Sequence, residues 1–292
     1  MRHRRPLDAA LRGQRSGPSR RTLLASPRMG AHGMHAHPTD DVTIDYYAAG
    51  EGPAIVLVHG ITESRRTWDP LFPQFLQAGY RVILIDLRGH GDSSKVAPYD
   101  LATMAGDVGA VLAAEGLDDA LLVGHSLGGA VVSAYAAGGP CRGVVNVDQP
   151  LLLSGFKAML AELEPMLKGS PEEFDGAISA IFDEMAGPLA GHERQRVDTL
   201  RDGDQEVVLG VWDLVFSASA DELDAIVDGV VGSITAPYLS LHGIDPGPEY
   251  AEWLTGKLPS ATVEVWADQG HYPHLIDRHR FVERVREFDP AM

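Results

Sequence analysis

Short runs rich in apolar residues recur at 54–58, 81–85, 120–123, 143–147, 237–241 and 261–266, and stretches of helical period separate the first four of them. Runs of that length bounded by turn residues predict strands buried on both faces, whereas the alternation over 42–47 predicts a half-exposed strand. Helical spacing predicts helices over 67–78, 101–115 and 127–137. Strand and helix in alternation imply a mostly parallel sheet covered by helices on both faces, with its site at the carboxyl ends of the strands. The rhythm changes at Leu151. Five helical stretches follow, at 156–168, 171–186, 192–201, 204–218 and 221–234, broken by proline or glycine with no strand between them. They predict an inserted helical lid over 151–234, in which Phe156, Met159, Phe182, Met185, Trp212 and Phe216 serve mainly as the lid's own packing while a few of them roof the pocket. The core is then 41–150 together with 235–292, closed by a final helix that opens near Gly270-His271-Tyr272-Pro273-His274.

Composition narrows this picture. A chain of 292 residues, 45% hydrophobic, can bury a large core. The single cysteine, Cys141, excludes an intramolecular disulfide and a cysteine metal cluster, and no apolar run reaches the length of a membrane span. Charge is uneven: residues 1–28 hold eight arginines against Asp8, so the rest of the chain carries −24 within a total of −17. An acidic body repels nucleic acid and anionic membranes and favours neutral or cationic small substrates over highly anionic ones.

Residues 1–40 read as a disordered leader, or as sequence ahead of a true start at Met29 or Met34. Ser19-Arg20-Arg21-Thr22-Leu23-Leu24 has the look of a twin-arginine export signal, but no sustained apolar segment follows it, so the expected compartment is the cytoplasm. The histidines at 32, 35 and 37 are weak metal-ligand candidates, and no metal or cofactor is expected anywhere in the chain.

The chemistry centres on Gly124-His125-Ser126-Leu127-Gly128, which follows the run at 120–123 and fits G-x-S-x-G. A serine at so sharp a strand-to-helix turn needs small residues two places before and after it. The Leu127 N–H at the start of the next helix faces the serine oxygen. The Ile61 N–H, in the glycine turn His59-Gly60-Ile61, can point to the same place, so the two together suit a tetrahedral oxyanion. His59 and His125 are read as loop-orienting side chains. Asp86-Leu87-Arg88-Gly89-His90-Gly91-Asp92-Ser93 is read as a structural loop, with Asp268 in a solvated loop and His274 at a helix start.

Taken together, His59-Gly60-Ile61, residues 86–91, Gly124 to Gly129, Gly243-Ile244-Asp245 and Gly270-His271 resemble the α/β-hydrolase superfamily over roughly residues 41–288. The resemblance implies an α/β-hydrolase fold and a serine, acid, histidine order. Ser126 would be the nucleophile and His271 its base. Asp245, after the penultimate strand where the family most often carries the acid, would orient His271; Asp148, after an earlier strand, is the alternative.

The activity this implies is hydrolysis of a carboxylic ester or lactone through an acyl-serine, with a small uncharged acyl compound as substrate. Carbon–carbon bond hydrolysis, acyl transfer and cofactor-free haloperoxidase or perhydrolase chemistry use the same residues, and a non-enzymatic ligand receptor is the reading from another class. A serine at the elbow argues against haloalkane dehalogenase and the usual epoxide hydrolase, whose pattern has aspartate there.

Overall fold

The computed structural model describes residues 34–292. Expectations for the arginine-rich stretch and for His32 lie outside the described residues. An eight-stranded sheet forms the centre, built from β1 (Met34–Thr39), β2 (Val42–Ala49), β3 (Ala54–Val58), β4 (Arg81–Ile85), β5 (Leu121–His125), β6 (Gly143–Val147), β7 (Tyr238–His242) and β8 (Ala261–Val265). Their spatial order is β1-β2-β4-β3-β5-β6-β7-β8. The pairings β1–β2 and β2–β4 are antiparallel, and all the others are parallel. Every residue of β3, β5, β6 and β7 is buried, as expected of Val- and Leu-rich strands when both faces of the sheet are covered. The α/β-hydrolase fold expected from the sequence is the fold observed.

Helices α2 (Leu101–Ala114) and α3 (Leu127–Ala136) pack against the sheet, and α2 is capped by the Asp100 side chain, which accepts from the Thr103 amide at 2.9 Å. Between β6 and β7 come α4 (Ser154–Leu167), α5 (Pro171–Met185), α6 (Gly191–Leu200), α7 (Gln205–Ser217) and α8 (Ala220–Ser233). Capping boxes at Ser170/Glu173 and Ser219/Glu222 start α5 and α8. Each of these helices lies within a residue or two of where helical spacing places it.

Three expectations change. The leader does not extend to residue 40: Met34–Thr39 pairs with β2, buries Ala36 and forms the edge of the sheet. An edge strand tolerates Pro38, which lacks a ladder donor and hides the strand from a pattern reading. The helix foreseen over 67–78 is divided into a 3-10 turn, Arg65–Trp68, and a short α1 (Phe72–Gln77), because Pro70 has no N–H to continue the first segment. A helix that pattern reading passes over, α9 (Pro248–Lys257), connects β7 to β8. The chain ends in α10 (Pro273–Ile276) and α11 (Arg278–Phe288). Among the described residues no helix is long and apolar enough to cross a membrane.

Candidate active site

Ser126 sits between β5 and α3 with φ 51° and ψ −125°, a conformation that costs an ordinary residue about 1–3 kcal/mol. The surroundings enforce it. The Ser126 amide donates to the Val147 carbonyl at 2.9 Å, and the Ser126 carbonyl accepts from the Gly129 amide at 2.7 Å. A side chain at Gly124 would strike the Gly128 carbonyl, and one at Gly128 would strike the Val58 carbonyl. The glycine spacing thus reflects backbone contact on both sides of the elbow.

At the end of the neighbouring strand β6, Asp148 also has a positive φ of 52° and is 3% exposed. Its Oδ1 accepts from the amides of Gly243 at 2.8 Å and Ile244 at 3.1 Å. Its Oδ2 accepts from His271 Nδ1 at 2.6 Å. Burial works against the carboxylate charge, but the His271 ring and these amides outweigh it, so the Asp148 pKa lies below its ordinary value. His271 is buried as well; burial lowers its pKa, against the pull of Asp148. Because Nδ1 faces a carboxylate, the ring proton belongs there, which leaves the Nε2 lone pair free. Nε2 has no hydrogen-bond partner among the described residues.

The acid position expected from the resemblance is therefore corrected. Asp245 is exposed, and its Oδ1 accepts from the Gly247 amide at 2.8 Å in a local turn. The β7 end does contribute to the pair, but through the Gly243 and Ile244 amides rather than through a side chain. Asp148, the alternative, holds the histidine.

Ser126, Asp148 and His271 line one cavity of about 480 Å³ with Ile61 and Leu127. Leu127 is the first residue of α3, where the N–H has no partner within the helix. The opposite wall comes from α4, α5 and α7 and the approach to α4: Leu152, Leu153, Phe156, Met159, Ile181, Phe182, Met185, Val211, Trp212 and Val215. Five of the six lid side chains singled out in the sequence line this cavity, more than the packing reading foresees. Phe216 instead lies beneath Lys168, whose Nζ is 4.8 Å from the ring centre. Among the described residues no lysine or arginine lines the cavity.

Of the remaining polar residues, His59 and Arg88 have local partners, whereas neither ring nitrogen of His274 has one among the described residues. His59 accepts the Leu87 amide at Nε2 (3.0 Å) and donates from Nδ1 to the Gly60 carbonyl (2.7 Å); burial lowers its pKa to about 4, so the ring is neutral. In the 86–93 loop, Arg88 makes a bidentate pair with Asp107 at 2.7 and 2.6 Å. The carboxylates of Asp45, Asp86 and Asp92 converge closely enough to hold a cation, and the Arg65 guanidinium pairs with all three. His274 is fully buried and stacks on Trp68 with ring centres 4.7 Å apart, a far more enclosed place than a helix start suggests. Asp268 is exposed.

Two features of the site have no signature in the sequence. The His271 amide donates to the Met185 carbonyl at 2.9 Å, joining the end of α5 to the histidine loop. Glu63 is 3% exposed and faces His125, although nothing in a Thr-Glu-Ser turn marks a glutamate as buried.

Comparison with known proteins agrees with this fold. A family model described as the alpha/beta hydrolase fold matches residues 53–277. A non-heme haloperoxidase of Rhodococcus erythropolis is 31% identical over 257 residues, covering 80% of this chain and 90% of its own. A bifunctional esterase/perhydrolase of Acinetobacter calcoaceticus is 32% identical over 229 residues, covering 70% of this chain and 79% of its own. Among solved structures, an esterase from Rhodococcus sp. ECU1013 superposes with a TM-score of 0.67 at 28% identity, over 88% of this chain and 98% of that one. This chain belongs to the α/β-hydrolase family.

Proposed function

We propose that the protein hydrolyses an uncharged carboxylic ester or lactone through an acyl-serine. The observation that carries this reading is the His271–Asp148 pair at 2.6 Å, which leaves Nε2 unpartnered on a ring that lines the same cavity as Ser126 at its strained elbow. In the first half of the reaction His271 takes the Ser126 proton as Oγ attacks the carbonyl carbon, then passes it to the leaving oxygen. The Ile61 and Leu127 amides receive the developing oxyanion, and Asp148 stabilises the imidazolium while holding its tautomer. Water, deprotonated by His271, then releases the acid. The helices between β6 and β7 act as the lid.

The cavity wall supports the substrate class. It is mostly apolar, and with no lysine or arginine among the described residues to pair a carboxylate it offers little to a diketo acid, which disfavours carbon–carbon hydrolysis. A second reading has support from the haloperoxidase and esterase/perhydrolase relatives. Hydrogen peroxide in place of water would attack the same acyl-serine and release a peracid, with no added cofactor.

The test is labelling with a serine-reactive phosphonate and peptide mapping, followed by kcat/KM across neutral nitrophenyl esters, lactones and a dienoic diketo acid. The expected result is modification of Ser126 and turnover of esters or lactones, with Ser126→Ala lowering the rate by about 10⁴-fold or more. Label on another residue, or efficient cleavage of the diketo acid alone, refutes the reading. Peracid formation from an ester and peroxide measures the second activity.

A further inference from the structure

Behind the His271 ring lies a second pair of titratable groups that the reaction scheme does not use. Glu63 and His125 are 3% and 0% exposed, with Glu63 Oε2 3.5 Å from His125 Nδ1. The same carboxylate oxygen accepts the Gly60 amide at 3.2 Å, in the turn that presents Ile61. On its other side His125 Nε2 donates to the main-chain carbonyl of His271 at 2.8 Å. Three separate loops of the site are thereby joined: the turn after β3, the elbow after β5 and the histidine loop before α10.

The protonation state follows from what the ring faces. Nε2 donates to a carbonyl at 2.8 Å, and Nδ1, which makes no hydrogen bond among the described residues, lies 3.5 Å from a carboxylate, an ion-pair distance that favours a proton on each nitrogen. A neutral His125 would leave one acceptor facing a lone pair, and it would leave the Glu63 charge buried without a counter-ion. Burial opposes the charged ring, yet the Glu63 carboxylate more than compensates, so the His125 pKa is above its ordinary value. Burial likewise opposes the Glu63 charge, and the neighbouring His125 overcomes it, holding that carboxyl well below the usual range.

We propose that Glu63 and His125 are positioning residues: a buried carboxylate–imidazolium couple that ties the oxyanion turn to the His271 backbone and sets a positive charge beside the His271 ring. The two rings have centres 4.6 Å apart. His271 then sits between charges of opposite sign, the Asp148 carboxylate at Nδ1 and the His125 imidazolium along its flank. Asp148 favours the imidazolium formed during reaction, and His125 limits how readily the resting ring takes up a proton. The other titratable groups around it are Glu63, which partly screens His125, the neutral His274, and Tyr272, whose hydroxyl accepts from Arg201 at 3.1 Å.

This inference rests on His271 being the base, and its test separates the two claims. Nitrogen NMR of the unmutated protein with labelled histidine reads His125 without any substrate: both ring nitrogens should be protonated at pH 7. A neutral His125 ring at pH 7 overturns the proposal, whether or not phosphonate labels Ser126. Two variants then test the role in turnover. His125→Gln keeps an N–H near the Nε2 position but drops the charge, and Glu63→Gln keeps an acceptor for Gly60.

Each should lower kcat by roughly tenfold to a hundredfold with KM changed less than about threefold, and the double variant should lose little more than the worse single one. In His125→Gln the acid limb of the kcat/KM profile should move to higher pH. Folded variants with kcat within about twofold of the parent and an unmoved limb refute the positioning role. If the variants do not fold, the NMR reading of His125 still decides.

Discussion

The floor and the roof of the cavity are built on different principles. On the floor, Ser126 and Asp148 both have positive φ, the flanking glycines meet main chain, and both Asp148 oxygens face defined donors. The roof is a set of interchangeable apolar side chains, such as Phe156 against Trp212 with ring centres 5.6 Å apart, held by volume rather than direction. Directional contacts fail outright when one partner is lost, whereas packed volume degrades in proportion to what is removed. Substitutions on the floor should therefore act as switches, and those on the roof as graded controls.

The largest effect should come from the floor acid. Asp148→Asn should lower kcat by about three to four orders of magnitude, since an amide in place of the carboxylate no longer fixes the Nδ1–H tautomer or stabilises the imidazolium. Asp245→Asn, in an exposed turn, should stay within about twofold of the parent. Steady-state kinetics of the two variants on one ester decides this. The reverse ranking would break the distinction between a built floor and its solvent-exposed margin.

That pair also shows what the sequence discloses. That Ser126, Ile61, Leu127 and His271 come to one cavity is legible because glycine spacing and strand ends fix where the backbone turns. The choice between Asp148 and Asp245 is not legible, because it depends on which carboxylate meets the Gly243 and Ile244 amides, a matter of three loops meeting across neighbouring strands. The roof is the opposite case. Its five helices can be read almost to the residue from caps and breakers, yet the sequence does not say that α4, α5 and α7 face the cavity while α6 instead binds the 3-10 turn through Arg196 to the Arg66 and Thr67 carbonyls. Strand β1 is missed because an edge strand can be short and contain proline.

Floor and roof meet at Gly187 and Gly270, and the next effect in size belongs to that seam. Gly187 has φ 57°, and a Cβ there would lie 2.7 Å from the Gly270 Cα, beside the His271 amide that donates to Met185. Gly187→Ala should displace the histidine loop, lowering kcat by about tenfold and stability by about 1–3 kcal/mol. Thermal unfolding and kinetics on the same sample measure both. An unchanged kcat would mean that the roof does not bear on the base.

The roof itself should respond more mildly. Trp212→Ala removes a side chain that packs on Phe156 and faces the cavity, so it should lower kcat/KM for the best parent ester by roughly threefold to tenfold and lengthen the preferred acyl chain. Each added methylene should regain about 0.8 kcal/mol until the enlarged space is filled. A series of nitrophenyl esters from two to twelve carbons reads the shift, and a uniform loss at every length would show that Trp212 acts on the floor instead.

The smallest effect, in pH, is the one that separates floor from roof most cleanly. Burial holds the His271 pKa below the ordinary 6.5, against the pull of Asp148. The base must be unprotonated to accept the Ser126 proton, so kcat/KM should rise with pH through this lowered value and reach its plateau earlier than an unperturbed imidazole would allow. At pH 6 an ordinary imidazole is only about a quarter unprotonated, and the enzyme should keep a larger share of its plateau rate there. Asp148→Asn removes the carboxylate that favours the charged ring, so its residual activity should show an acid limb at still lower pH. Trp212→Ala carries no charge change and should leave the limb where it is, although its acyl preference moves. A limb displaced by the roof substitution, or an unmoved limb in Asp148→Asn, would show that the two halves of the cavity share their electrostatics.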